Sequence, residues 1–152
     1  QLASEYGHKY YAIVKEEGYP VGITSNEPIT VLKKQVEDFW HGMLHVKTYG
    51  LDIIVTHLSP HEWKFRLKEA QMLTKYIQDN QLDNCMVMGD FNAYSPFDAD
   101  WVETHAQLIK NKQKWDAEQE TYRNMRDGRL DYSVLSQFHR ADRYMPFVCP
   151  CR

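Results

Sequence analysis

The chain has 152 residues, 43% hydrophobic and 26% charged, enough for one domain with a real core and ordinary for a globular protein. Its formal net charge of -3, with histidine neutral, excludes a global basic field that would draw in nucleic acid, so a polyanionic partner needs a local patch or a metal ion. No apolar run reaches the length of a membrane span, and no signal peptide is visible. Of the three cysteines, Cys85 lies in a predicted strand and Cys149 and Cys151 crowd the end. That is neither a disulfide framework nor a zinc site, and the compartment stays open.

In chain order, Leu2 to Tyr6 reads as the last turns of a helix stopped by Gly7. Tyr10 to Val14 and Val21 to Ser25 read as short strands around the turn Glu16 to Pro20. Ile29 to Glu37 carries no decisive pattern. Trp40 to Lys47 and Leu51 to Thr56 form the clearest hairpin, joined by Thr48-Tyr49-Gly50. Met43, His45 and Lys47 face one way along its first strand, and Leu44 and Val46 the other. The second strand is apolar on both faces near its end, as a central strand is, and delivers His57 at its tip.

Ser59 with Glu62 three positions on predicts a capping box, with Pro60 in the first helical position and a helix to about Asn80. Its apolar stripe is Trp63, Leu67, Ala70, Leu73 and Ile77, while Lys64, Arg66, Lys68 and Lys75 form a solvated basic face. Cys85 to Met88 is a buried strand ending at Gly89. If the backbone stays extended through Phe91, Asp90 and Asn92 project to one side and Phe91 returns to the core. Ser95-Pro96-Phe97-Asp98 then opens a second helix, with a stripe of Trp101 or Val102, His105, Leu108 or Ile109, Lys112 and Trp115. His105 reads as a packed or boundary residue. Arg126-Asp127-Gly128 is a turn, and Leu130 to Phe138 is a strand or a short helix.

Two strand ends, one with His57 and one with Asp90 and Asn92, are thus each followed by a helix start, where free N–H groups favour anions. An imidazole, a carboxylate and an amide beside such sites suit phosphoester hydrolysis. The carboxylate activates water or binds a divalent metal, the amide holds an oxygen, and a protonated histidine neutralises the phosphate. The competing reading of His57 is a capping or core histidine, and of Gly89 to Asn92 an ordinary strand-to-loop turn.

Ile54-Val55-Thr56-His57-Leu58, followed one helix later by Val87-Met88-Gly89-Asp90-Phe91-Asn92-Ala93, resembles the endonuclease/exonuclease/phosphatase superfamily, the deoxyribonuclease-I-like fold. Gly18 to Ser25 with Pro28-Ile29 is similar to an earlier strand and loop of that family, and the resemblance covers roughly Tyr10 to Trp101. It implies an α/β (α+β) fold, a sandwich of two mainly antiparallel sheets flanked by helices. It implies that His57 contacts the scissile phosphate, that Asp90 polarises the attacking water close to a magnesium or manganese ion, and that Asn92 orients that water or a phosphate oxygen. The family's metal-holding Glu and its closing Ser-Asp-His strand have no counterpart here. His139 is followed by Arg140 and has no aspartate before it. Leu130-Asp131-Tyr132 echoes the family's Asp-Tyr strand, leaving a minor catalytic reading for Asp131.

Residues 1–152 therefore read as a single incomplete domain, the central part of a longer one, because the chain starts at Gln1 in helix-like sequence and ends at Phe147 to Arg152 with no closing element. The expected function is a metal-dependent phosphoester hydrolase that is inactive as this isolated piece. The expected metal is bound weakly, with Asp90 as its ligand. The substrate is a phosphoester, either nucleic acid or a small phosphodiester. The alternative is a non-catalytic domain of the same fold that serves as a binding surface. A third possibility, a different metallophosphoesterase fold, needs Gly-Asn-His-type metal runs that the sequence lacks. One sheet face left bare by the missing parts would be covered by a partner, such as a second copy of the chain.

Overall fold

A computed structural model describes residues 2–120 and 122–140, so the predicted ending with Cys149 and Cys151 lies outside the described residues. The fold is mixed α/β, built on a four-stranded sheet in the order β3 (Thr30–Gln35), β4 (Met43–Thr48), β5 (Leu51–His57), β6 (Cys85–Asp90). β3, β4 and β5 run antiparallel in turn. β6 is parallel to β5, because helix α2 (Trp63–Asp79) carries the chain back between them. The β4–β5 hairpin is tighter than its sequence implied. Thr48 pairs with Leu51, and only Tyr49 and Gly50 form the loop, both at positive φ (52° and 73°), as a type I′ turn demands. Trp40 and His41 precede the strand instead of joining it.

One face of the sheet carries the main core. Met43, Ile54, Val87 and Phe91 meet Ala70, Leu73 and Ile77 of α2 and Val134, Leu135 and Phe138 of α5 (Ser133–Arg140). The segment left open between strand and helix is therefore a helix from Ser133. On the other face Leu44, Val46, Ile53 and Val55 are covered by Ala12, Val14 and Val21, around the two-stranded pair β1 (Tyr10–Ile13) and β2 (Gly22–Ser25). The bare face expected from sequence is thus covered over β4 and β5, while Val31 and Leu32 of edge strand β3 stay exposed. A short N-terminal helix, α1 (Leu2–Glu5), precedes β1. Buried His45 bridges the Tyr76 hydroxyl on α2 and the Asp52 carboxylate on β5, at 3.0 Å each. No helix among the described residues is long and apolar enough to cross a membrane.

Three local expectations need correction. The capping box does not form: α2 starts at Trp63, Glu62 makes no side-chain cap, and the Ser59 hydroxyl accepts from His61 N–H at 3.2 Å. Arg66 is not on a solvated face. It is buried at 3% exposure, whereas Lys64, Lys68 and Lys75 are exposed, with Lys68 and Lys75 paired to Asp38 and Asp79. The second helix is broken. Ser95 caps a 3₁₀ turn over Pro96–Asp98, then α3 (Ala99–Thr104) and α4 (Ala106–Ala117) flank His105 at φ -95°, ψ 69°. His105 is exposed, its ring against Trp101, and its stripe gives way to the buried Asp116.

Candidate active site

The site is built where β5 and β6 end together. Their parallel register pairs Thr56 with Gly89 and His57 with Asp90, and Leu58 N–H carries the ladder one step further to the Asp90 carbonyl at 2.9 Å. Gly89 permits this. It sits at φ 138°, and a Cβ there would lie 1.8 Å from the Thr56 carbonyl oxygen, so no side chain fits without parting the strands. The glycine of the Gly-Asp-Phe-Asn run thus lets the ends of β5 and β6 touch.

β6 ends at Asp90, and the chain turns at Asn92. Asn92 N–H donates to Asp90 Oδ1 at 2.8 Å, and Asn92 takes φ 47°, a conformation its short amide side chain tolerates. The Asn92 side chain then donates to the Leu58 carbonyl at 2.9 Å. It laces the end of β6 to the end of β5, and Phe91 still drops into the core against Phe138. Asp90 Oδ2 faces His57 Nε2 at 3.7 Å, with the two side chains 45% and 31% exposed. A carboxylate and an imidazole therefore reach solvent side by side on rigid elements.

Sequence reasoning missed His41. Its ring stacks on His57 with centroids 4.0 Å apart and planes 18° from parallel, and it is 7% exposed. Burial, then the neighbouring charges of His57 and Lys15, lower its pKa, against the opposing pull of a backbone hydrogen bond at Tyr19 and of Asp90. The available signal was topological: β4 is antiparallel to β5, so the residues just before β4 lie at the sheet end where β5 finishes. Tyr19 stands edge-on to His41, and Trp40 edge-on to His61, extending an aromatic rim around the pair.

Asp131 is held locally instead. It is buried, it accepts from the Ser133 hydroxyl at 2.7 and 2.9 Å, and its N–H donates to the Asn124 carbonyl, so it anchors the start of α5. His139 rests edge-on against Phe97. Two surface hollows of about 570 and 560 Å³ border the β7 (Met125–Arg126) and β8 (Arg129–Leu130) hairpin; neither is lined by His57, Asp90 or Asn92. Among the described residues no group of three His, Cys, Asp or Glu side chains is arranged to hold a metal. At the site itself Asp90 is the carboxylate that could take part in holding a divalent ion, the rest of whose shell would come from water and substrate. Comparison with protein-family models, curated proteins and solved structures finds no match to this chain.

Proposed function

We propose that this chain is the central part of a metal-dependent phosphoester hydrolase of the endonuclease/exonuclease/phosphatase kind, with β1 and β2 as the beginning of the second sheet of its sandwich. The reading is carried by one observation: His57 and Asp90 pair in register on parallel strands, ring against carboxylate, at a sheet end closed by Asn92. Asp90 takes the proton of a water whose oxygen attacks phosphorus. His57 donates to a non-bridging phosphate oxygen as charge builds there, and the ester oxygen departs with its bonding pair. Asn92 keeps the two strand ends at fixed spacing. A magnesium or manganese ion, held by Asp90 with water and substrate oxygens, would supply charge stabilisation on the phosphate.

Hydrolysis of bis-p-nitrophenyl phosphate with magnesium or manganese tests this. The isolated chain is expected to be near background, and a longer natural chain containing it to be active. In that longer chain His57→Ala or Asp90→Ala should each lower turnover on the order of 10²–10⁴-fold. An active protein indifferent to both substitutions refutes the roles. The rival, a non-catalytic binding domain, draws on the fact that Asp90 Oδ1 and the Asn92 amide are already engaged within the chain. It predicts no turnover from the longer chain.

A further inference from the structure

Two ionisable side chains occupy the buried stripe of α2, one turn apart, and neither belongs to the site just described. Arg66 is 3% exposed and Glu69 0%. Charges withdrawn this far from water are costly unless every polar atom finds a partner. The partners of Glu69 are two backbone amides from separate loops. Its Oε1 accepts from Trp40 N–H and its Oε2 from Ser59 N–H, both at 2.8 Å. Trp40 immediately precedes His41, and Ser59 follows His57 by two residues. One carboxylate thus joins the two backbone segments whose imidazoles stack 4.0 Å apart. Arg66 grips the same loop from its carbonyl side, donating to Ser59 O at 3.1 Å and to His61 O at 2.8 Å; it also reaches the Arg123 carbonyl on a separate segment, while its Nε is left without a partner among the described residues.

We propose that Glu69 is a positioning residue for the His41–His57 pair, with Arg66 completing the clamp on the loop that follows His57. The inference rests on the reading of His57 as the phosphate-contacting group. The clamp needs a carboxylate, since two N–H donors converge on the side chain from different loops and an amide offers one acceptor oxygen. Burial pushes the Glu69 carboxyl above its ordinary value, and the Ser59 and Trp40 amides and Arg66 pull it back. A group chosen only to hold the helix against the sheet would be better apolar.

The test uses the full chain with labelled histidine and compares Glu69→Gln with Ile77→Val, which weakens the apolar end of the same helix. Close contact between the two imidazoles is read from cross-relaxation and from the upfield displacement of their ring protons. Loss of both signals in Glu69→Gln and their retention in Ile77→Val supports the clamp. Retention in Glu69→Gln overturns it, and so does equal loss in both variants, which would mark a general loosening. If Glu69→Gln does not fold, the unaltered chain decides. Trp40 and Ser59 amides protected from exchange support the clamp; exchange at the rate of open loops overturns it. In an active longer chain, Glu69→Gln should lower kcat by about 10- to 100-fold with KM little changed. Activity that survives His57→Ala sinks the functional reading while leaving the ring measurement to judge the clamp alone.

Discussion

Gly89 shows how much one residue decides at this sheet end. Any side chain there meets the Thr56 carbonyl, at a φ that L residues rarely adopt. Gly89→Ala should cost at least about 3 kcal/mol in urea unfolding and uncouple His57 from Asp90. A loss below about 1 kcal/mol would mean that the strands are not this close. His41 makes a pH prediction. Its pKa is lowered from 6.5 in the fold, so the unfolded chain binds its proton more readily. Stability from this group is present above about pH 6.5 and is lost as pH falls through the lower folded value. His41→Phe should therefore lose less stability than the parent between about pH 7.5 and 5.5, by up to about 1.4 kcal/mol per pH unit. Unfolding midpoints at the two pH values check this, and parallel slopes would refute it.

At the scale of elements, helices here carry polar anchors on faces that a hydropathy pattern would leave to apolar residues. On α2 the buried positions Arg66, Glu69, Ala70, Leu73, Thr74 and Ile77 keep helical spacing, yet half are polar. On α4 the anchor is Asp116, 1% exposed. It accepts from Asn124 N–H, the Asn124 amide group and Met125 N–H at 2.7 to 2.8 Å. This carboxylate ties β7 to α4 where the surrounding cluster offers only Val102, Met125 and Leu130 as fully buried apolar residues. Asp116→Ala leaves those buried donors unpaired and should destabilise the protein by about 3 kcal/mol. A change within about 0.5 kcal/mol in chemical denaturation would rule out the anchor.

For the whole molecule, the division of the core predicts an order of opening. The cluster between α2, α5 and the sheet gathers a dozen buried residues, and a second lies between the sheet and β1–β2, whereas the α3–α4 region rests on the small third cluster. Native-state hydrogen exchange should find amides of β4 and β5 exchanging only by global unfolding, and those of α3 and α4 opening at distinctly lower free energy. Uniform protection across both regions would contradict that division. By the same layout the strand ends of the site, on β5 and β6, should stay closed while α3 and α4 open.

The β4–β5 hairpin, the apolar strand before Gly89 and the amphipathic α2 were legible because each follows from local periodicity and turn chemistry. The placement of His57 at one strand end and of Asp90 and Asn92 at another was legible in the same way, and the structure brings those ends together. Sequence alone did not show β3, with a bulge between Val31 and Lys33 and a mostly exposed pattern, or the break at His105. It also missed the burial of Arg66, because a helical wheel cannot tell which arc a neighbouring loop will cover. Tertiary structure alone decided that His41 stacks on His57 and that Glu69 spans Trp40 and Ser59. Those contacts join residues 16, 29 and 10 positions apart in the chain. They exist because an antiparallel and a parallel strand bring three chain segments to one sheet end. No local pattern records a carboxylate whose partners are the backbone amides of two other segments.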